Sequence, residues 1–285
     1  MTRRVFLLGV GAQRAGTTWL HTQLQSSGVV ARFPVKEFHI WDAISSPLFS
    51  EFDLRAGYFS LNTLKSLLRR IRRSDLDSRT ELRRKMQTSP ENYFDFFRDL
   101  LEAQGCTIAS DITPSYCALS EQVFSDIREG FEAYDIDVKV VYILRDPADR
   151  CLSAVRKYRR DNTTKQGVDV ILPEEEAFLR YLQSDHAKVR TDYPGTLTRL
   201  EKVFPAEKMH IGFFETMFQE RELVRLEQFL GIDIDRAAVK VRRNSTEASA
   251  RDDALLREQA EQQFRYVYEY CFQRFPHLTD LWRVR

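Results

Sequence analysis

Long apolar runs are missing from this sequence. No stretch of its 285 residues approaches the ~20 apolar positions that a membrane span needs. The run at residues 5–10 follows a basic start and superficially suits a secretory leader. It is too short, however, and leads into a glycine turn instead of a cleavage site, so a cytoplasmic setting is expected. Cysteine is scarce. Cys106, Cys117, Cys151 and Cys271 are the only four, with no C-x-x-C pair and no zinc spacing. They read as buried, reduced thiols that pack as small hydrophobes, and no metal site is expected. Net charge is nearly absent too: 43 Lys and Arg stand against 42 Asp and Glu, a balance of +1. That excludes a bulk basic field for nucleic acid, so any anion site must be local. Internal repeats and low-complexity linkers are also lacking.

What is present is an ordinary globular composition, 43% hydrophobic and 30% charged, which rules out a disordered chain. The length suffices for one large α/β domain. Residues 5–10 read as a buried strand ending at Gly11. Residues 17–26 read as the helix that follows, with Trp19, Leu20 and Leu24 on its apolar face and Gly28 as a left-handed cap. Strand, glycine turn and helix open a doubly wound sheet. Residues 43–104 read as a helical insert. Its clearest helix is capped by Ser89, starts at Pro90, runs through Tyr93, Phe94, Phe97, Leu100 and Leu101, and stops at Gly105. Further strands are expected at 107–112, 138–144 and 209–214. Asp146-Pro147 caps a new helix, 161–172 is a polar loop, and a helix at 220–230 closes at Gly231. Leu256, Ala260, Phe264, Val267 and Cys271 mark the core face of one C-terminal helix. The fold class is α/β: a P-loop-like open parallel sheet flanked by helices, with a helical insert, in one domain spanning 1–285.

The segment Gly11-Ala12-Gln13-Arg14-Ala15-Gly16-Thr17-Thr18 lies between that strand and that helix. There, backbone amides and a helix N-terminus surround a phosphate. The Gly-x4-Gly spacing matches a Walker A loop, but Thr17 stands where the lysine belongs and Arg14 sits inside the loop. Anion binding survives this change, while a nucleotide triphosphatase reading weakens. A small-molecule kinase would have to use Thr17 and Asp111 for Mg²⁺. A non-catalytic nucleotide-binding protein is the other alternative.

The segment Gln13-Arg14-Ala15-Gly16-Thr17-Thr18-Trp19 resembles the 5′-phosphosulfate loop of sulfotransferases that use 3′-phosphoadenylyl sulfate (PAPS), usually Lys-x-Gly-Thr-Thr-Trp. Lys36-Glu37-Phe38-His39-Ile40-Trp41-Asp42 resembles the Lys-Glu-Pro-His-Phe-Phe-Asp segment of the heparan-sulfate branch. Asp111-Ile112-Thr113-Pro114-Ser115-Tyr116 is similar to a Thr-Pro-x-Tyr element near the acceptor. Val141-Tyr142-Ile143-Leu144-Arg145-Asp146-Pro147, with Arg150 and Ser153, resembles the 3′-phosphate motif, its Arg and Ser at the family's spacing.

The resemblance implies a sulfotransferase that uses PAPS as donor, needs no metal, and acts on an acceptor hydroxyl or amine of a small molecule, lipid or saccharide. It implies that Gln13, Arg14, Ala15, Gly16, Thr17 and Thr18 hold the 5′-phosphate, with Arg14 stabilising the leaving group where the family has lysine. Trp19 would stack on adenine, and Arg145 and Ser153 would take the 3′-phosphate under a loop bearing Arg242, Arg243 and Asn244. Glu37 is the expected general base and His39, better poised near neutral pH, its rival. Lys36 would contact the sulfo group, with no need to touch Glu37. Asp42, Thr113 and Tyr116 would meet the acceptor. Ile112 replaces a lysine that meets acidic glycans in the heparan branch, which argues against a polyanionic acceptor. The basic run from Arg69 through Lys85 reads first as a solvated helical face, with an anionic acceptor or a membrane surface as its alternative partners.

Overall fold

The computed structural model describes residues 3–55, 74–237 and 252–282. Among these, four parallel strands form one sheet: β1 (Arg4–Gly11), β2 (Ile108–Ile112), β3 (Ile136–Leu144) and β4 (Met209–Phe213), in the order β2-β1-β3-β4. Parallel strands are covered on both faces and read as continuous apolar runs. Phe6, Leu7, Leu8 and Val10 of β1 and all of residues 140–144 of β3 are buried accordingly. The chain leaves β1 for β2 on one side and reaches β3 on the other. That reversal opens a crevice at the carboxyl ends of β1 and β3, where open α/β sheets place their ligands.

Helix α1 (Thr17–Ser26) follows β1. Before β2 come α2 (Trp41–Ser45), a 3₁₀ segment (Pro47–Phe52), α3 (Ser74–Thr88) and α4 (Glu91–Gln104), so the described part of 43–104 is helical as expected. Helix α5 (Glu121–Glu132) precedes β3 and α6 (Pro147–Arg160) leaves it. Then α7 (Glu174–Gln183), α8 (Asp185–Thr191) and α9 (Tyr193–Val203) lead to β4, and α10 (Glu220–Leu230), α11 (Asp252–Gln263) and α12 (Arg265–Arg274) follow it. An aromatic cluster ties the sheet to α4 and α5. Phe6 stacks on Phe131 at 3.9 Å between centroids and meets Phe97 edge-on at 4.8 Å. Each such buried side chain stabilises the fold by about 1.5–3 kcal/mol.

Helix ends mostly follow local chemistry. The Asp146 carboxylate accepts from the Asp149 amide at 2.9 Å, with Pro147 in the first turn of α6. Gly105 and Gly231 close α4 and α10 in left-handed conformations (φ 62° and 70°). Three expectations shift. Helix α1 ends at Ser27 in an extended conformation, without a left-handed Gly28, because a turn through Gly28 and Val29 carries the chain to Val30, which bridges to Ile108 beside the sheet. Pro90, not Ser89, holds the cap position of α4, and the Ser89 hydroxyl bonds the Glu91 carboxylate instead. The C-terminal helix breaks at Phe264 (φ −111°, ψ 25°) into α11 and α12, which lets all five predicted core positions stay buried. The four cysteines are free thiols, and Cys106 is only half-buried.

Candidate active site

The glycine turn is shaped by close approaches. A side chain at Gly9 would strike Ile112 Cδ1 at 2.6 Å, and one at Gly16 (φ 82°) would strike Met217 Sδ at 2.6 Å. Arg14 is left-handed (φ 68°), a conformation L side chains rarely adopt. The Arg14 guanidinium Nε donates to Ser153 Oγ on α6 at 3.0 Å. Arg145, at the end of β3, donates to the Arg14 carbonyl at 2.8 Å and lies over the Phe214 ring, 4.4 Å from its centroid. Arg145 Nε is buried without a partner. Among the described residues, no carboxylate lies within ion-pair distance of Arg14 or Arg145. Asp146 is occupied as the α6 cap and Asp149 pairs with Arg257. Burial, then Arg145 and Arg160, push the Arg14 pKa down. Two guanidiniums thus crowd the crevice mouth beside the free amides that open α1, a setting that attracts a multiply charged anion.

The 36–42 segment forms the other half. Lys36 Nζ donates to Thr18 Oγ1 at 3.0 Å and to Glu37 Oε1 at 2.6 Å, so Lys36 and Glu37 do touch. The second Glu37 oxygen faces His39 Nε2 at 3.4 Å, and His39 Nδ1 meets Asp42 Oδ2 at 2.6 Å. Ser115 also donates to that Asp42 oxygen. The His39 ring stacks on Phe52 at 3.6 Å. Burial alone would raise the Glu37 pKa, but His39 and Lys36 hold it down at about 2. Burial alone would lower the His39 pKa, but Asp42 and Glu37 hold it up. The His39 ring thus bridges the Glu37 and Asp42 carboxyl groups, a setting that favours its protonated form. Glu37 is 36% exposed and His39 only 9%, so the carboxylate, not the imidazole, presents itself to the crevice.

Backbone contacts fix this segment. The Phe38 amide donates to Thr113 Oγ1 at 3.0 Å and the Ile40 amide to the Tyr116 hydroxyl at 3.3 Å. Gln87 donates to the His39 carbonyl and Arg83 to the Phe38 carbonyl. Arg83 is therefore an inward strut and not part of a solvated face, while Arg84 pairs with Glu81; residues 69–73 of the basic run lie outside the described residues. Asp111 is fully buried and accepts from Thr113, Tyr93 and Tyr116. Burial pushes its pKa up to about 6 against those bonds.

A family model described as the sulfotransferase family matches residues 7–236. The chain belongs to the sulfotransferase family. Membership makes it a transferase of sulfo groups. The crystal structure of a sulfotransferase from Alicyclobacillus acidocaldarius aligns with a TM-score of 0.50 at 16% identity, covering 93% of this chain and 95% of that one. The sulfotransferase domain of the Synechococcus PCC 7002 olefin synthase aligns with a TM-score of 0.49 at 13% identity, covering 91% and 93% of the two chains. At 16% identity the likeness to the Alicyclobacillus structure shows the fold alone. A search of curated proteins returned no match.

In this sulfotransferase, Arg14, Arg145 and Ser153 come together on one side of the glycine turn, and Thr18, Lys36, Glu37, His39 and Asp42 on the other. Thr113, Tyr116 and Asp42 have no exposed surface, which sets them behind the 36–42 segment and not in front of it. Trp19 is 5% exposed, edge-on to Phe218 at 5.3 Å, with its indole N–H unpartnered. Ala15 is buried, and Gln13 turns toward Gln166 at 3.3 Å. Arg242 and Arg243 lie outside the described residues. Sequence reasoning missed Arg83, Gln87 and the donor role of Ser115. They sit in different elements from the segment they hold, and no local pattern marks them.

Proposed function

We propose that this sulfotransferase moves the sulfo group of PAPS to an acceptor hydroxyl or amine by in-line displacement, releasing adenosine 3′,5′-bisphosphate. The observation that carries the proposal is the convergence of Arg14, Arg145 and Ser153 with no carboxylate in ion-pair contact with either guanidinium among the described residues. A 3′-phosphate supplies the charge that this corner lacks, and the unpartnered Arg145 Nε fits one of its oxygens. The amides at Gly16, Thr17 and Thr18, with that of Gln13 in the same turn, suit the 5′-phosphate, while the Ala15 amide donates to the Ala12 carbonyl at 3.2 Å and shapes the turn. Trp19, 5% exposed and edge-on to Phe218, packs as a core residue of α1 and presents no open face to adenine. When bound, the donor supplies an electrophilic sulfur and a phosphate leaving group.

The chain's own residues do the rest. Lys36 spans Thr18 of the phosphate turn and Glu37, so one ammonium serves both the leaving oxygen and the base. Arg14 adds charge from the 3′ side. Glu37 accepts the acceptor proton. A carboxylate at about 2 is a weak base, but as Lys36 turns toward the leaving phosphate, Glu37 loses a partner that lowers its pKa. His39 and Asp42 hold Glu37 from behind, and Thr113 and Tyr116 hold the segment's backbone. No helix among the described residues is long and apolar enough to cross a membrane. A cytoplasmic setting and a small molecule, lipid or saccharide as acceptor remain part of the proposal. The kinase alternative is disfavoured because Asp111, its candidate Mg²⁺ ligand, is fully buried and saturated by three hydroxyls.

The test is calorimetric titration in EDTA. Adenosine 3′,5′-bisphosphate should bind more tightly than AMP by tenfold or more, as a charge-assisted phosphate contact of about 1.5–3 kcal/mol requires. Equal affinity for the two would leave the Arg145 corner without its ligand. A preference for ATP that appears only with Mg²⁺ would favour the kinase.

A further inference from the structure

We infer that the acceptor itself carries an oxyanion such as a carboxylate, and that Gln13, Tyr158 and Arg190 form the cradle that receives it. The inference rests on the sulfo-transfer reading above. Three donors from three elements meet at one amide oxygen, Gln166 Oε1. Arg190 of α8 reaches it at 2.5 Å, Gln13 of the phosphate turn at 3.3 Å, and the Tyr158 hydroxyl of α6 also donates to it. A neutral amide oxygen offers two lone pairs. Three donors, one of them a cation, are a better match for a charged oxygen.

Arg190 makes the deficit explicit. It is 2% exposed, lies over the Phe49 ring at 5.2 Å, and its Nε is buried without a partner. Among the described residues no carboxylate lies within ion-pair distance of it. A buried cation is normally paired, because desolvating it alone is costly. Here a neutral side chain stands in for the anion. That side chain comes from the irregular 161–172 loop, where Gln166 and Gly167 are both left-handed (φ 53° and 83°). Gln13 Oε1, also buried and unpartnered, shows that the amide pairing is incomplete on both sides.

The cradle borders the phosphate turn through Gln13, and its contacts on the other side lead to the base. Gln166 Nε2 donates to Glu51 Oε1 at 2.6 Å, and Glu51 lies in the 3₁₀ segment whose Phe52 stacks on His39. The cradle is thus joined through one short segment to the base side of the crevice, while the two guanidiniums assigned to the 3′-phosphate bond to Ser153 and the turn's backbone. An acceptor approaching Glu37 gains the cradle by displacing the Gln166 amide.

The test uses the full chain, PAPS, and hydroxyl acceptors in matched pairs of free acid and methyl ester, 4-hydroxyphenylacetate and 3-hydroxydodecanoate among them. The wild type should prefer the acid by about tenfold or more in kcat/KM, the scale of a charge-assisted bond. Arg190→Met should erase that preference with a melting temperature that holds or rises, since it removes an unpaired buried charge. Gln166→Ala should lower KM for the acid several-fold and leave bisphosphate affinity unchanged. Parity between acid and ester in a wild type that binds the bisphosphate overturns this inference alone. So does an Arg190→Met protein that loses several degrees and slows on both members of each pair equally, which makes Arg190 a structural strut. A wild type that fails to bind the bisphosphate brings down the donor reading and this inference together.

Discussion

At the scale of single residues, the two halves of the site predict different losses. Glu37 is the only carboxylate of the 36–42 segment that is open to the crevice, since Asp42 is fully buried. Glu37→Gln keeps the shape but removes the base. Turnover should fall by ~10²-fold or more, the usual worth of a positioned general base, with bisphosphate affinity nearly unchanged. Steady-state kinetics beside calorimetry checks both, and full activity in the variant would refute the assignment. Arg145→Ala should do the reverse. It should weaken bisphosphate binding by about 1.5–3 kcal/mol and leave AMP binding almost untouched. The His39 ring between Glu37 and Asp42 adds a pH signature. His39 has a raised pKa, so its contribution to stability is complete below its ordinary 6.5 and fades as pH rises through the raised value. Glu37 is held down, so its contribution is complete above its ordinary 4.5 and is lost as pH falls through about 2. The melting-temperature gap between wild type and His39→Gln should therefore be widest between those two ordinary values and shrink in alkali. A gap that ignores pH would mean a neutral His39.

At the scale of elements, glycines at helix ends separate conformational cost from site geometry. Gly231 closes α10 with φ 70° and has nothing within 4 Å of an added Cβ. Gly231→Ala should cost about 1 kcal/mol of stability and spare activity. Gly16 opens α1 with φ 82°, but an added Cβ would meet Met217 Sδ at 2.6 Å. Gly16→Ala should cost more in melting temperature and also weaken bisphosphate binding, because the turn must shift away from its phosphate. Equal effects of the two substitutions on binding would show that the turn does not hold the ligand. Elements were the most legible level in the sequence, for reasons these ends illustrate. Buried parallel strands are written as continuous apolar runs, and Asp146-Pro147 or a terminal glycine carries its own capping chemistry. The misses came where a distant partner decided. Gly28 needed no left-handed cap once Val30 bridged to the sheet, and the break at Phe264 answers to packing that no local pattern records.

At the scale of the whole molecule, the site is an assembly of distant segments. The glycine turn marked Arg14 and the end of a buried strand marked Arg145, while Lys36, Glu37 and Ser153, the last on α6, came from the resemblance to sulfotransferase motifs. The sequence was silent on what joins them: the Arg14–Ser153 bond crosses 139 positions, and the Gln13–Gln166 bond 153. Such pairings depend on the sheet order and not on spacing. They also bear on the proposal that residues 1–285 act as one sulfotransferase domain. The bisphosphate corner draws on β1, β3 and α6, so a ligand bound there should stabilise all of them together. If the chain melts as one unit, the bisphosphate at a hundred times its Kd should add about 2.7 kcal/mol and move a single transition upward by roughly 4–5 °C. Scanning calorimetry with and without ligand decides it. Two transitions, of which only one moves, would mean that the C-terminal helices fold apart from the nucleotide site. A lone transition that shifts intact would make Tyr268 part of the reason, since this α12 residue donates to the Asp146 cap and accepts from the Ala148 amide of the helix that carries Ser153.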